Sequence, residues 1–235
     1  MADLQAIIQD NLLRVRERLA AAARRAGREA DEITLVGVTK YVDSQAARAL
    51  LSAGCGDLGE SRPQELWHKA ADLAGTSARW HLVGHLQRNK VRRTLPLVAL
   101  LHSGDSLRLL AEVDRVAAEL QVRVPVLLEV NISGDAAKHG FAPSEVRAAL
   151  PEAAALAHLH IRGLMAMASL EGSLDDARRE FRGLRELRDA LRADCPATVQ
   201  LDDLSMGMSG DFEVAIEEGA TIVRVGSALF EGIVS

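Results

Sequence analysis

Three places in the sequence hold residues whose types and spacing could do chemistry. The first is Lys40, which closes the apolar, β-branched run I-T-L-V-G-V-T-K that begins at Ile33. A run of that length and composition reads as a buried strand. The amine then stands at the strand's C-terminal end, where open α/β sheets and barrels gather their reactive groups. The chain has four lysines against twenty-four arginines, so an amine able to attack a carbonyl is kept here in a sequence that otherwise prefers guanidinium. Alone, Lys40 also fits a solvated lysine just past a strand. The second place is Ser205-Met206-Gly207-Met208-Ser209-Gly210-Asp211, with two serines and two glycines between an apolar run and a helical pattern. Ser209 is placed to cap the helix that follows, and free amides at such a start attract anions. The third is Arg224-Val225-Gly226-Ser227, where Gly226 lets the backbone approach a ligand and the amides of Gly226 and Ser227 open a second short helix.

Two such loops on one face would make a phosphate cradle, as the last two loops of α/β barrels frequently do. Each loop alone is equally consistent with ordinary capping. Strand alternation puts Arg224 on the same side as Gly226. A guanidinium there does not give up its proton, and opposite a pyridine nitrogen it would donate a hydrogen bond and leave that nitrogen unprotonated. An arginine paired to a carboxylate inside the barrel is the plainer alternative. An amine for an aldehyde, an anion cradle and a ring-nitrogen donor together are three points at which a protein recognises pyridoxal 5'-phosphate (PLP).

The elements that must bring these places together alternate along the chain. Leu4, Ile8, Leu12, Val15, Leu19, Ala22 and Ala26 recur at helical steps. Residues 1–27 are therefore expected to carry an N-terminal helix, with Asp3 as its cap and Gly27 as its end, covering the barrel's N-terminal face. Strands are expected over 33–39, 56–59, 80–84, 97–102, 124–131, 160–168, 199–204 and 221–226. Helices are expected near 43–53, 63–74, 85–93, 105–120, 143–157, 174–193 and 209–218, with a short one closing the chain. Eight βα units predict an α/β fold of one domain, residues 1–235, whose 33–235 portion is a closed (β/α)8 TIM barrel. An open doubly wound sheet is the alternative, but no G-x-G-x-x-G follows the first strand.

Composition removes several function classes. A net charge of −5 argues against nucleic acid as a partner. No window reaches the length of a membrane span, and the N-terminus lacks the pattern of a signal peptide, so a cytoplasmic protein is expected. Cys55 and Cys195 form no C-x-x-C and read as free thiols. With seven aromatic residues in all, the core must be aliphatic. His81 and His85 lack an acidic third ligand at a diagnostic spacing, so no metal is expected. His81 is read as a packed strand residue, His85 as a residue of the barrel mouth, Lys138 as solvated and Asp175 to Arg192 as the wet face of a helix.

The runs V-T-K at 38–40, G-E-S at 59–61, W-H-L-V-G-H-L-Q-R-N-K at 80–90, N-I-S at 131–133, G-L-M at 163–165, L-S-M-G-M-S-G-D at 204–211 and V-R-V-G-S-A-L-F at 223–230 resemble, in order and over nearly the whole length, the pyridoxal phosphate homeostasis protein family. That family is related to the barrel domain of alanine racemases. The resemblance implies PLP held as a Schiff base on Lys40, phosphate contacts from Ser205, Ser209, Gly226 and Ser227, Arg224 at the ring nitrogen, and Asn131 and Met165 near the ring. It implies a carrier of PLP without efficient catalysis, transient contact with apo PLP-dependent enzymes, and a monomer. Ser61 stands where the family usually has Asn, Arg62 where Tyr is common and Glu231 where Gly often follows Phe. The alternative is a weak racemase-like enzyme. Two features weigh against it: a racemase needs a second base opposite the lysine, and an unprotonated ring nitrogen is a poorer electron sink. Strand alternation is expected to point Tyr41, the only tyrosine, away from Lys40. His85 and Cys55 are the residues left to approach the pocket.

Overall fold

Eight short parallel strands, the first seven each followed by a connection that returns outside the sheet, close into a barrel. They are β1 (Thr34–Val38), β2 (Asp57–Glu60), β3 (Arg79–Leu82), β4 (Val98–Gly104), β5 (Val124–Glu129), β6 (Leu159–Met165), β7 (Asp203–Ser205) and β8 (Ile222–Val225). Every neighbour in chain order pairs in parallel, and β1 pairs with β8 to complete the ring, with Val36 opposite Arg224. The computed structural model describes residues 2–135, 138–169, 171–196 and 198–233.

The helices among the described residues are α1 (Ala2–Arg25), α2 (Ser44–Ser52), α3 (Pro63–Asp72), α4 (Val91–Thr94), α5 (Leu107–Leu120), α6 (Pro143–Ala154), α7 (Leu174–Arg192) and α8 (Phe212–Glu217). Their local causes are plain in α5. Ser106 caps it by accepting the Leu109 amide, and Leu109, Leu110, Val113, Val116 and Ala117 are buried along one face. Gln121 ends it in the left-handed region at φ 54°. Two apolar bodies result. The larger lies between sheet and helices. The smaller fills the barrel and consists of Val36, Val38, Leu100, Leu127, Met165 and Ile222. Gly59 faces this interior, where an added Cβ would come within 2.9 Å of the Val36 side chain.

Five expectations change. Among the described residues, the segment after β8 makes a 3-10 turn, Ser227–Leu229, in place of a closing helix. α1 fills the missing position in the outer ring, packed between α8 and α2, and so does not lie over the N-terminal face. Asn11 on α1 donates to the carbonyls of Leu229 and Glu231, while Arg18 and Arg25 pair with Glu213 and Glu217 beside α8. Asp3 falls inside the first turn of α1, not before it. β7 covers residues 203–205 in place of the expected 199–204, although the Gln200 amide already donates to the Ile161 carbonyl of β6. The helix expected over 85–93 is a 3-10 turn, Arg88–Lys90, running into α4, which leaves His85 free of helix.

Candidate functional site

Lys40 sits in the turn two residues past β1, and its side chain is exposed at the C-terminal mouth of the barrel. The turn is mounted on a buried ion pair. Lys69 of α3 donates to Glu60 Oε1 at 2.6 Å and to the Thr39 carbonyl at 2.7 Å, and the Thr39 hydroxyl donates to the same Glu60 oxygen at 2.6 Å. The residue before Lys40 is thus clamped from the ends of β2 and α3. Tyr41 does not point away: β1 has already ended, alternation no longer applies, and the Lys40 ammonium lies 4.7 Å from the Tyr41 ring centre. Tyr41 itself is 76% exposed.

Across the β1–β8 seam lie the loops after β7 and β8. Ser209 Oγ accepts the amides of Gly226 at 3.2 Å and Ala228 at 3.4 Å. Both loops therefore converge on one nest of N–H groups, with an oxygen already at the place an anion oxygen would take. Gly226 packs against Val38, so that a Cβ there would stand 3.2 Å from the Val38 carbonyl. Ser227 is exposed at the start of the 3-10 turn. Ser209 does not cap α8. Residues 208–211 form a tight turn in which the Met208 amide donates to Asp211 Oδ1, and α8 begins only at Phe212.

Arg224 lies inside the mouth, 4% exposed. It donates to Ser205 Oγ at 2.6 Å and to the Ala166 carbonyl at 2.9 Å. Both partners are neutral, and among the described residues no carboxylate comes within ion-pair distance of it. Burial lowers its pKa to about 10, with Glu129 and Asp211 opposing. Ser205 is consequently not at the nest of amides. Its side chain points into the barrel, where it also meets His102 Nδ1 at 2.8 Å. His102 Nε2 lies 2.9 Å from His81 Nδ1, and His81 Nε2 lies 2.9 Å from Asp57 Oδ1. Burial, reinforced by His81 and Arg224, holds the His102 pKa well below the ordinary imidazole value. Glu129 ends β5 and is 5% exposed. Burial and the charge of Asp105 push its carboxyl up to about 7 against Arg224 and His85.

Met165 is fully buried in the barrel interior below the mouth. Asn131 turns its amide into its own loop, donating to the Asp135 carbonyl at 2.8 Å. His85 stands at the mouth, with Nδ1 2.7 Å from Asp105 Oδ2, and stacks on His139 at 4.2 Å and 14°. These three side chains bring ligand atoms within 4.8 Å of one another, but with nearly parallel rings no ion can lie in both ring planes. Lys138 is not solvated: it donates to Ser133 Oγ at 3.0 Å and to the Ala168 carbonyl at 2.9 Å, tying the loop after β5 to the one after β6. Cys55 precedes β2 at the opposite end of the barrel, away from the pocket, and burial raises its thiol to about 11. Within the expected wet stretch of α7, Arg178, Arg182 and Arg185 converge on Glu218, whose side chain is 4% exposed. Sequence reasoning missed Glu60, Lys69, His102 and Glu129. The only signal for them was a polar residue set in or just after a strand, and for Lys69 its membership of a small set of lysines.

Residues 9–233 match the family of the alanine racemase N-terminal domain. The pyridoxal phosphate homeostasis protein of Aquifex aeolicus is 40% identical over 221 residues, covering 94% of this chain and 96% of its relative. The chain belongs to the pyridoxal phosphate homeostasis protein family. The structure of PipY from Synechococcus elongatus, solved with PLP bound, superposes on this member with a TM-score of 0.86 at 35% identity, covering 95% of this chain and 99% of PipY. An alanine racemase of Clostridium difficile shares the fold at a TM-score of 0.73 and 15% identity, over 97% of this chain and 56% of the racemase. The eight-stranded parallel barrel of the sequence analysis is therefore the family's fold. Among the described residues no helix is long and apolar enough to cross a membrane.

Proposed function

We propose that this chain binds PLP in the barrel mouth and carries it in the cytoplasm without efficient turnover. One observation carries the reading: a buried guanidinium with only neutral partners stands beside a nest of amides, both across the β1–β8 seam from Lys40. A buried positive charge of this kind calls for a partner of opposite polarity. Bound there, PLP supplies an electron-poor ring with an aldehyde and a phosphate.

Lys40 supplies the amine that holds the aldehyde as a Schiff base. Ser209 and the amides of Gly226, Ser227 and Ala228 take the phosphate, and Arg224 donates to the ring nitrogen. Met165 and Asn131 flank the ring. Ser205 does not contact phosphate; it holds Arg224. The family's name and the PLP-bound PipY support a homeostatic role, in which a monomer releases the cofactor to apo PLP-dependent enzymes. A charged donor at the ring nitrogen keeps that nitrogen from acting as a strong electron sink, which favours safekeeping over carbanion chemistry.

A second reading, weak racemase-like turnover, is favoured by the His85–Asp105 pair and Glu129 at the same mouth, which could move protons. Borohydride reduction of the PLP-loaded protein followed by peptide mapping tests the first reading. Label on Lys40 supports it, and label confined to another lysine refutes it. Incubation of the loaded protein with an amino-acid panel separates the two readings, since enzyme-like turnover would replace the carrier.

A further inference from the structure

Four hydrogen bonds in series cross the barrel interior from Arg224 to Asp57, at 2.6, 2.8, 2.9 and 2.9 Å. The members come from β8, β7, β4, β3 and β2. Ser205 and His102 are fully buried, and Arg224 and His81 are 4% and 5% exposed. The two ends fix the direction of every bond between them. Arg224 can only donate, and the Asp57 carboxylate can only accept. Asp57 is ionised: burial opposes this, but hydrogen bonds from His81 and Arg79 outweigh it and hold its pKa below the ordinary value.

His81 Nε2 must therefore carry a proton toward Asp57. If His81 is neutral, its Nδ1 accepts, so His102 Nε2 is the donor and His102 Nδ1 the acceptor. Ser205 then gives its single hydroxyl proton to His102 and accepts from Arg224, and every group is satisfied. In the alternative, a protonated His81 reverses the middle bonds, strands the Ser205 hydroxyl proton between two donors and adds a second cation near Arg224. Burial without compensation makes that arrangement costly.

We propose that His102 and His81 are positioning residues for Arg224, holding its guanidinium aimed at the barrel mouth through a one-way hydrogen-bond relay that ends on Asp57. The relay lets a buried cation be stabilised by a distant carboxylate through polarised neutral groups. A carboxylate placed directly against Arg224 would instead occupy the donors that face the ligand. The hydrogen bonds of His102 go to Ser205 and His81 and not to Arg224, so its hold on the guanidinium runs through Ser205. The proposal rests on the assignment of Arg224 as the ring-nitrogen donor.

Two measurements test it. In the full chain without cofactor, ¹⁵N–¹H correlation of the imidazoles should show His81 and His102 both neutral at pH 7, with the proton on Nε2. A proton on Nδ1 of either ring overturns the relay, whether or not any variant folds. The PLP off-rate is then measured by transfer to an apo-enzyme. His102→Phe should raise it several-fold, up to about ten-fold, the effect of losing one hydrogen bond between neutral groups. His102→Asn, whose amide oxygen can replace Nδ1 as acceptor for Ser205, should bring the rate back toward the wild-type value. If folded His102→Phe releases PLP at the wild-type rate while Arg224→Ala releases it faster, the relay is wrong and the ring-nitrogen role stands. If Arg224→Ala is also unchanged, the ring-nitrogen role fails and the relay with it.

Discussion

Replacing Lys69 by methionine should damage both stability and cofactor retention, although Lys69 does not reach the barrel mouth. Its ammonium and Glu60 Oε1 are 2.6 Å apart, with side chains 3% and 0% exposed. Burying two charges costs several kcal/mol each, and their attraction does little more than offset that, so the intact pair adds little net stability. Removing one partner is different. Lys69→Met leaves the Glu60 carboxylate buried without its cation and the Thr39 carbonyl without its donor, at an expected cost of about 3–5 kcal/mol. That is a large share of the ~5–15 kcal/mol that holds a typical domain folded.

Adding Glu60→Gln removes the stranded charge and should recover most of the loss. Urea unfolding at pH 7 of the wild type, both single variants and the double variant gives the coupling energy directly. A loss below about 1 kcal/mol for Lys69→Met, or a double variant no more stable than the worse single, would refute the reasoning. The double variant also separates stability from function. It restores the fold without restoring the clamp on Thr39, so its PLP off-rate should remain raised.

Glu129→Gln probes the mouth through pH. The wild-type carboxyl rises from the ordinary 4.5 to about 7 on folding, so the folded chain keeps a proton that the unfolded chain releases across that window. Glu129 therefore makes stability fall as pH rises. Without added PLP, the variant should gain on the wild type by up to about 3 kcal/mol between pH 5 and pH 8 in urea unfolding; a pH-independent gap would contradict this. Asn11→Ala frees the carbonyls of Leu229 and Glu231 that tie α1 to the end of the barrel. At about 1–3 kcal/mol for the one fully buried carbonyl, that of Leu229, Tm should drop by roughly 2–12 °C, and an unchanged melting curve would show that α1 is held by its packing and its ion pairs to α8 without this contact.

Much of the fold was legible because its signals are local. Apolar runs of strand length alternating with helical patterns count eight units without reference to any contact, and Gly27 ends α1 from φ +67° as its position suggested. The site was legible in outline for the same reason. Lys40 and Gly226 are marked by where a strand pattern stops, and strand ends in a closed parallel barrel share one face. The errors arose where a local rule had a competitor. Ser209 looked like a helix cap because it precedes a helical pattern, yet a turn closed by Asp211 takes up the intervening residues. Tyr41 was placed by alternation that ends at Val38.

The sequence by itself determined the number of βα units, the closed-barrel class, the strand-end lysine and the glycine-rich loops, since each depends on a few neighbouring residues. Only the tertiary structure decided which groups those residues meet. Closure of β1 on β8 brings Val36 opposite Arg224 across almost the whole chain. α1 takes the ring position left empty after β8 by packing between α8 and α2. Ser205 turns inward to Arg224 and His102, the latter 103 residues away in sequence, and so leaves the nest of amides to Ser209. A hydroxyl accepts from whichever donor the folded chain sets within about 3 Å, and that choice is made by strands that are neighbours in space and strangers in sequence.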